Sequence, residues 1–225
     1  MVTGAGGALG SGVVRALAAS GRSVLAIERD RERAEKIFAG LAGCRVLGFD
    51  VSDAHAWSDA LGDSPIAGAV LVAGTWQGGK RLFEAGADAT WRALMSANLE
   101  TARVSLEALL PRMVERKAGS IVAIGSRTAQ RPWEGARSAA YAASKAALVA
   151  LVQAAAAEVL SDGVRINAVL PSTIDTPANR GAMPKHDPST WVSVESLSGV
   201  IAFLLSDAAR DISGAAIPVY GKDGV

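Results

Sequence analysis

The sequence predicts a single-domain α/β fold in which a doubly wound parallel sheet carries helices on both faces. Short apolar runs rich in β-branched residues alternate with longer Ala/Leu-rich segments of helical period, and this alternation is typical of repeated βα units. The apolar runs have no polar face, as expected of buried parallel strands. No linker, repeat or shift in composition divides the 225 residues, of which 50% are hydrophobic. One domain with a large core is therefore expected over residues 1–225.

The first strand is unusually short. Val2 and Thr3 run directly into a glycine-rich turn, whereas a nucleotide-binding turn normally follows a strand of about five residues. We expect a truncated first strand, because upstream residues are missing or the start is misassigned; the alternative is a central strand that is a stub. Six further strand candidates, each bounded by Gly, Pro or polar residues, lie at residues 23–28, 44–49, 69–73, 120–124, 165–170 and 215–219.

Helical periodicity marks the segments between these strands. The segments that fit a helix best are residues 8–20, 31–41, 89–115, 138–161 and 194–205. Residues 171–190 contain four prolines and show no obvious period. We expect a mobile substrate flap near residues 171–191.

The charge balance excludes several kinds of partner. With 23 basic and 22 acidic residues and a net charge of +1, the chain has no large single-sign field to attract nucleic acid or an anionic membrane surface. The longest segment without charged side chains, residues 64–79, is interrupted by proline and glycine, so no membrane span is expected. No secretory signal is visible at the N-terminus.

Cysteine and histidine are scarce. A single cysteine, Cys44, excludes an internal disulfide, and two histidines leave too few ligands for a structural zinc site. We therefore expect no metal and a cytoplasmic location. Hydrolase and kinase functions are also disfavoured, because the chain has neither a G-x-S-x-G around Ser126 nor a G-K-S/T motif.

Residues 3–10, Thr-Gly-Ala-Gly-Gly-Ala-Leu-Gly, form a glycine-rich turn before a predicted helix. Glycines allow the backbone to approach a pyrophosphate, and a helix N-terminus presents oriented N–H groups to it. The spacing is not G-x-G-x-x-G, so an ordinary strand-to-helix turn is the alternative. Glu28 favours the nucleotide interpretation, because a carboxylate at the end of the next strand can accept hydrogen bonds from an adenosine ribose. Alternatively, Glu28 is a solvated strand end.

Tyr141 and Lys145 lie four residues apart on a strongly predicted helix and so share one face. An ammonium group beside a phenol favours the phenolate and lowers a pKa of about 10. Tyr141 would then be a general acid or base near neutral pH. The alternative is a core-facing tyrosine beside a lysine whose head group reaches water. Ser126, just past a strand, could hold a substrate oxygen beside Tyr141, although a lone loop serine often has no such role.

Together these features resemble the short-chain dehydrogenase/reductase family over nearly the whole chain. The Tyr-x-x-x-Lys motif is specific in combination with an upstream Ser and Asn. The resemblance also includes Asp50-Val51, Val72-Ala73-Gly74, Asn167 and residues 171–176. It implies a Rossmann fold, a nicotinamide cofactor, a small-molecule substrate and a catalytic tetrad of Asn98, Ser126, Tyr141 and Lys145.

The resemblance also implies a role for each member of the tetrad. The tyrosine would exchange the proton with the substrate oxygen, and the serine would orient that oxygen. The lysine would bind the nicotinamide ribose and lower the tyrosine pKa, and the asparagine would hold a water that connects the lysine to solvent. The implied cofactor-binding residues are Gly4, Gly7, Ala8, Leu9 and Gly10 at the pyrophosphate, Glu28 and Arg29 at the adenosine ribose, Asp50 and Val51 at the adenine, Ala73 and Gly74, Tyr141 and Lys145, and Pro171, Ile174 and Thr176 near the carboxamide.

The chain departs from the family pattern at four places. The usual turn is T-G-x-x-x-G-x-G, and here Ala8 stands at its middle glycine while Gly7 precedes it. The usual N-N-A-G is Val72-Ala73-Gly74, and the usual P-G is Pro171-Ser172. The separation between Ser126 and Tyr141 exceeds the usual gap, which makes Thr128 a rival to Ser126.

Some of these changes resemble the quinonoid dihydropteridine reductase-like branch of the family. The residues that carry this likeness include Trp-Gln-Gly-Gly at 76–79, the run 169–180, Met183-Pro184 and Trp191. That branch typically lacks the serine found here at position 126, which suggests a carbonyl substrate as readily as a pterin. Trp76 and Trp191 are expected to flank the cleft.

The sequence thus predicts an oxidoreductase that transfers a hydride between a nicotinamide cofactor and a small carbonyl or alcohol, with reduction favoured. A dihydropteridine reductase-like enzyme and a catalytically silent dinucleotide sensor are the alternatives. The intact Tyr141–Lys145 pair argues against the sensor. NAD(H) is expected over NADP(H), because Glu28 would repel a 2′-phosphate and residues 3–10 contain no cation. Arg29, however, could bind that phosphate.

The predicted helix 138–161 also indicates self-association. Its residues 146–157 carry no charge, and a helix that is apolar all round is normally buried on more than one side. We therefore expect a homodimer or homotetramer built on this helix and on helix 89–115.

Overall fold

The structure, a computed structural model, describes residues 1–62 and 64–222. In that part of the chain the strands are β1 (Val2–Thr3), β2 (Val24–Glu28), β3 (Cys44–Gly48), β4 (Gly68–Leu71), β5 (Gly119–Ile124), β6 (Val164–Pro171), β7 (Ile174–Asp175), β8 (Val192–Ser193) and β9 (Ala216–Val219). Seven strands form a parallel sheet in the order β3-β2-β1-β4-β5-β6-β9, and β7 pairs with β8. This order is the doubly wound Rossmann topology that the sequence predicts, with its ligand crevice at the carboxyl ends of β1 and β4.

Helices cover both faces of the sheet. One core includes Trp57 and the other Val13, and adjacent β5 residues Ile121 and Val122 point into opposite cores. The central strands β1, β4, β5 and β6 are buried on both faces, which explains their continuous apolar runs. The edge strands β3 and β9 are only partly buried. The helices in the described residues are α1 (Ala8–Ala19), α2 (Arg31–Ile37), α3 (Ala54–Leu61), α4 (Ala87–Met95), α5 (Thr101–Glu115), α6 (Ala139–Glu158), α7 (Pro177–Ala182) and α8 (Val194–Leu204).

The central strand β1 is two residues long. Val2 pairs with β2 on one side and with β4 on the other. Thr3 ends the strand, and its Oγ1 accepts hydrogen bonds from the backbone N–H groups of Val72 (3.1 Å) and Ala73 (3.2 Å). Because these two N–H groups bond to a side chain, β4 ends at Leu71 and not at residue 73 as its apolar run predicts.

Helix α3 is missing from the sequence prediction. The Asp53 side chain caps it by accepting from the N–H groups of His55 and Ala56. Trp57 anchors it, since its indole donates to the Val51 carbonyl at 3.0 Å and its side chain is buried. The helix is eight residues long and buries two side chains, so its apolar period is too short to recognise.

The predicted helix 89–115 is interrupted. It comprises α4, a π-helical turn at Ser96–Glu100 and α5, and Asn98 is fully buried within the π turn. Such turns inside α-helices are frequent at functional sites. The extra residue of the wide turn rotates Asn98 towards the sheet edge, which an α-helical period does not predict.

The segment 171–190 is more regular than its prolines suggest. It contains β7, α7 and a 3₁₀ turn at Pro188–Thr190. The Thr176 hydroxyl caps α7 by accepting from Asn179 N at 3.2 Å. Arg180 binds both carboxylate oxygens of Asp175, at 2.6 and 2.7 Å. Its role as a substrate flap stays a prediction.

Helix α6 has the length and composition of a membrane span, with 20 residues and a mean hydropathy of 1.4. Less than half of the apolar window, 44%, is buried inside the described part of the chain. On its buried side, Leu148 and Val152 belong to the core shared with β5 and β6. The core helix of a globular protein meets the same criteria of length and composition.

Candidate active site

The glycine-rich turn brings backbone segments into close contact at the carboxyl end of β1. Gly4 has a positive φ of 60°, and a Cβ atom there would lie 2.9 Å from the Ala73 Cα atom. A Cβ at Gly10 would lie 2.2 Å from the Gly4 carbonyl oxygen. Side chains are therefore excluded at both positions, and the turn can adopt its tight conformation only with glycine.

The N-terminus of α1 follows this turn directly. Gly7 is its N-cap residue, and among the described residues no side chain caps it, so N–H groups of the first turn are available to an anion. Ala8, at the family's middle glycine position, is exposed, whereas Leu9 is buried. The departure from the family turn therefore leaves the approach to the helix N-terminus open. These features fit the pyrophosphate of a dinucleotide.

Glu28 lies across the turn from α1. Its Oε2 accepts a hydrogen bond from Gly6 N at 2.9 Å, and its Oε1 accepts from Arg29 N at 3.0 Å. A Cβ at Gly6 would lie 2.9 Å from the same Oε2 atom. Glu28 is thus fixed beside the turn, where an adenosine ribose would approach, and is not a freely solvated strand end.

Arg33 is a residue at this position that sequence reasoning missed. Its guanidinium reaches back from α2 and donates to the Gly6 carbonyl at 3.2 Å. A cation therefore lies at the turn although none occurs within residues 3–10. No local motif signals it, because the contact joins residues 27 positions apart.

Asp50 and Val51 follow β3 at the same edge of the sheet. The Asp50 carboxylate accepts from Ser52 N at 2.9 Å and from Ser52 Oγ at 2.7 Å, and these bonds lower its pKa. Arg29 lies 3.8 Å from the second carboxylate oxygen. The Arg29 side chain is 76% exposed, so this ion pair is weak.

Asn98 links the π turn to the loop after β4. Its Oδ1 accepts from Thr75 N at 2.7 Å, and its Nδ2 donates to Ser144 Oγ at 3.0 Å. A Cβ at Gly74 would lie 2.7 Å from Asn98 Oδ1 and 3.5 Å from the Lys145 ammonium nitrogen. Gly74 is therefore the residue that lets this loop, Asn98 and Lys145 meet. The Tyr-x-x-x-Lys motif does not specify Ser144, so the sequence did not predict its contact with Asn98.

Lys145 is buried, with 5% of its surface exposed. Its ammonium donates to the Ile124 carbonyl at 2.7 Å. Burial lowers its pKa from 10.5 to about 8, because the charged form loses hydration. At pH 7 the side chain therefore still carries its proton.

Tyr141 shares a hydrogen bond with Ser126, which lowers its pKa, but burial of the phenol has the larger effect and raises it. The sequence predicts a lowered value on account of Lys145. The structure reverses this direction, because desolvation disfavours the phenolate more than the hydrogen bond stabilises it. In this structure the Tyr141 phenol is consequently protonated at neutral pH.

Thr128 lies next to Ser126 rather than in its place. The two hydroxyl oxygens are 3.0 Å apart, and Thr128 N also donates to Ser126 Oγ at 3.3 Å. The long separation between Ser126 and Tyr141 is taken up by two 3₁₀ turns, Arg127–Ala129 and Pro132–Gly135. The unusual spacing therefore does not prevent contact between Ser126 and Tyr141.

The strand β6 ends at Pro171, which places Ile174 and Thr176 beyond the same edge of the sheet. The Ile174 carbonyl accepts from the Asn179 side chain at 2.8 Å. Of the two tryptophans expected beside the cleft, Trp76 is 66% exposed and Trp191 is buried at 7%.

Tyr220, near the end of the chain, connects two loops of the site and was not predicted. Its hydroxyl donates to Gln130 Oε1 at 3.0 Å, and its backbone carbonyl accepts from Ser172 Oγ at 2.8 Å. The guanidinium groups of Arg127 and Arg131 lie 5.8 and 5.3 Å from its ring centroid. Tyr220 thereby ties the loop after Ser126 to the start of the segment 171–191.

The chain is similar to known proteins over most of its length. The short chain dehydrogenase family matches residues 1–187. A galactitol 2-dehydrogenase (L-tagatose-forming) of Cereibacter sphaeroides is 31% identical over 235 residues, which cover 98% of this chain and 92% of that enzyme. An acetoacetyl-CoA reductase of Synechocystis sp. is 30% identical over 234 residues, covering 98% of this chain and 94% of that enzyme.

A solved structure shows the same fold. It is an oxidoreductase of the short chain dehydrogenase/reductase family from Burkholderia thailandensis, 33% identical, with a TM-score of 0.88 over 98% of this chain and 90% of that one. The chain therefore belongs to the short-chain dehydrogenase/reductase family and is an oxidoreductase that transfers a hydride between a nicotinamide cofactor and an alcohol or carbonyl substrate.

Proposed function

We propose that this oxidoreductase reduces a small carbonyl compound, with Tyr141 as the general acid and Ser126 as the group that holds the substrate oxygen. The observation that carries the proposal is the hydrogen bond between these two side chains, one helical turn along α6 from the buried Lys145. The raised pKa of Tyr141 keeps the phenol in the form that donates a proton, which is the form that reduction requires.

The remaining residues of the site support this reaction. When bound, the nicotinamide cofactor supplies the hydride. Lys145 would bind its ribose and, being charged at pH 7, would stabilise the phenolate that remains after proton transfer. Asn98 would position Lys145 and the loop after β4. The proposed cofactor contacts are Gly4, Gly7, Ala8, Leu9 and Gly10 at the pyrophosphate, Glu28 and Arg29 at the adenosine ribose, Asp50 and Val51 at the adenine, Pro171, Ile174 and Thr176 at the carboxamide, and in addition Ala73 and Gly74.

The pair of variants Ser126→Ala and Thr128→Ala tests the assignment of the oxygen-holding residue. We expect Ser126→Ala to lower kcat/KM by about 10²-fold, the usual effect of removing one donor to a developing oxyanion. Thr128→Ala should retain most of the activity, since the Thr128 hydroxyl lies next to Ser126 and does not take its place beside Tyr141. The measurement is cofactor oxidation at 340 nm with a panel of ketones and diketones. The opposite ranking of the two variants would transfer the role to Thr128.

We propose that the enzyme prefers NAD(H). Glu28 is held beside the turn by two backbone N–H groups, so a 2′-phosphate would meet its carboxylate. Arg29 and Arg33 lie close enough to offset part of this repulsion. A tenfold preference needs only about 1.4 kcal/mol, and a preference of this modest size is what we expect.

The variant Glu28→Ser tests this preference. Removing the carboxylate should reverse or abolish the preference for NADH, as measured by kcat/KM with each cofactor. The variant Asp211→Ser, at an exposed site, is the control and should leave the preference as it is in the wild type. If the wild type itself favours NADPH, the two arginines dominate and the proposal for Glu28 is wrong.

We propose that the chain forms a homodimer or homotetramer through α5 and α6. Less than half of the apolar window of α6 is buried within one chain, and alanines on that helix line an open hollow of about 430 Å³ together with Trp133. The Trp133 side chain is 73% exposed. Light scattering should therefore give about twice or four times the 23.0 kDa of one chain. A 23.0 kDa particle at micromolar concentration would contradict this.

The two alternative functions, a dihydropteridine reductase-like enzyme and a catalytically silent sensor, have less support than a carbonyl reductase. The dihydropteridine reductase-like interpretation rests on residues 76–79 and Trp191, and Trp191 is buried. The two relatives described above bear the names of a polyol dehydrogenase and an acyl-CoA reductase. A silent sensor would have no use for the hydrogen bond between Tyr141 and Ser126.

A further inference from the structure

A small cavity of about 50 Å³ lies next to the segment that leads into Tyr141. It lies between the loop 77–82, the first turn of α4 and residues 137–140, which immediately precede Tyr141 in the chain. About 10–15 Å³ of such space holds one water molecule. The cavity can therefore receive one small functional group of a ligand.

Three cations, Lys80, Arg81 and Arg137, line this cavity, and none of its other lining residues is acidic. Across residues 1–62 and 64–222, none of the three takes part in a salt bridge. Most arginines elsewhere on this surface behave differently; Arg180, for example, binds Asp175. The cavity thus concentrates positive charge with which no carboxylate among the described residues forms an ion pair, and such clefts attract anions.

The contacts that these cations do make are with neutral groups. The Lys80 ammonium donates to the Ala85 carbonyl at 3.1 Å. The Arg81 guanidinium lies 5.9 Å from the Phe83 ring centroid. Neither contact cancels a charge, so both side chains remain able to bind an anion.

Arg137 is held in place by its backbone. Its φ of 65° lies in the left-handed region, which is uncommon for residues other than glycine. Its carbonyl accepts from Gly79 N at 2.9 Å, and its guanidinium donates to the Gly79 carbonyl at 3.4 Å. These bonds join the two walls of the cavity and keep Arg137 at its edge.

The distance to the reacting group sets the size of the ligand. Arg137 precedes Tyr141 by four residues, so their Cα atoms can lie no more than about 14 Å apart. A group bound by Arg137 and a carbonyl at Tyr141 would thus belong to one small molecule. Leu82 and Ala140 also line the cavity, so its walls can contact a short hydrocarbon spacer.

We infer that the substrate is an oxo acid, whose carbonyl is reduced at Tyr141 while its carboxylate is bound by Lys80, Arg81 and Arg137. Arginine suits this role because its planar fork can bind a carboxylate through two parallel hydrogen bonds. The inference rests on the proposed function. The C=O group becomes CH–OH by gaining a hydride from the reduced nicotinamide cofactor and a proton from Tyr141, and the carboxylate is unchanged.

Matched acids and esters provide the test. The probes are 2-oxobutanoate, 3-oxobutanoate and 4-oxopentanoate, each compared with its methyl ester in the presence of NADH. For at least one pair we expect kcat/KM to be ten times greater for the acid at low salt. The ratio should fall as ionic strength rises, because the cations are exposed.

Variants of Arg137 then test whether the preference for the acid over the ester arises at this cavity. Arg137→Gln should lower the acid-to-ester ratio at least tenfold through KM for the acid, and Arg137→Glu should favour the ester. Arg210→Gln is the control, because Arg210 is exposed and follows α8, whose last residue, Leu204, accepts a hydrogen bond from Ser120 at the start of β5. That position is at the opposite end of the sheet, so this variant should retain the wild-type ratio.

Two further results separate the inference from the proposed function. If the wild type reduces acids and esters equally well and Arg137→Gln leaves the ratio unchanged, the carboxylate site is wrong while the proposed function stands. If neither is reduced, titration calorimetry of the acids into the enzyme with NADH decides. Binding that Arg137→Glu abolishes would support the carboxylate site and overturn the proposed reaction, whereas no binding would overturn the site as well.

Discussion

Replacing Tyr141 with phenylalanine should lower kcat by about 10²- to 10⁴-fold, the usual contribution of a positioned general acid. The substitution removes the hydroxyl that contacts Ser126 and carries the transferable proton. It retains the ring, and Tyr141 is only partly exposed on α6, so the fold should be unaffected. The measurement is the steady-state rate of cofactor oxidation with the best substrate of the ketone panel.

Cofactor affinity is the control for this variant. The dissociation constant for NADH, followed by cofactor fluorescence, should stay within about threefold of the wild-type value, because the Lys145 contact with the Ile124 carbonyl is untouched. Ser126→Ala in the Tyr141→Phe background should cause little further loss, since both groups act on one oxygen. A variant that keeps more than a tenth of the wild-type rate would exclude Tyr141 as the proton donor.

Gly10→Ala should abolish measurable cofactor binding and lower the melting temperature. The new Cβ would lie 2.2 Å from the Gly4 carbonyl oxygen and 2.9 Å from the Ala5 Cα atom. Both neighbours are backbone atoms, so the turn itself must move, and overpacking of this kind costs about 1–3 kcal/mol or more. Helix propensity alone predicts the reverse, a gain of up to about 1 kcal/mol for alanine over glycine. The measurements are NADH titration and thermal unfolding.

Gly199→Ala is the matched control for this prediction. Gly199 lies within α8, and a Cβ atom there would meet no atom within 4 Å. This variant should bind NADH as the wild type does, and alanine should slightly raise the melting temperature. Equal effects of the two alanines, or near-normal binding by Gly10→Ala, would show that the turn is not the rigid cradle described here.

The order of elements is largely readable from the sequence, because the signals are local. The runs at residues 120–124 and 165–170 are mostly apolar, and nearly all of their residues are buried in the sheet. The discrepancies arise where distant groups intervene. β4 ends two residues early because Thr3 takes the N–H groups of Val72 and Ala73. A second cause is length: the sequence does not predict α3 (Ala54–Leu61), because its apolar period is too short to recognise.

The candidate site also has some features that the sequence predicts and others that it does not. The four-residue spacing of Tyr141 and Lys145 places them on one helix face whatever surrounds them. The direction of the Tyr141 pKa shift does not follow from that spacing, since it depends on how deeply the phenol is buried. Glu28 at a strand end is visible in the sequence, but its hydrogen bond to Gly6 N is not.

The sequence by itself determined the parallel sheet, the need for glycine in the turn and the pairing of Tyr141 with Lys145, because period and spacing express backbone geometry directly. Only the tertiary structure decided that Arg33 reaches Gly6, that Tyr220 meets Gln130 and that Arg137 shares a cavity with Lys80. Each of these contacts joins segments more than 25 residues apart. These contacts depend on how the packed helices and loops fill space around the sheet, which no local sequence pattern determines.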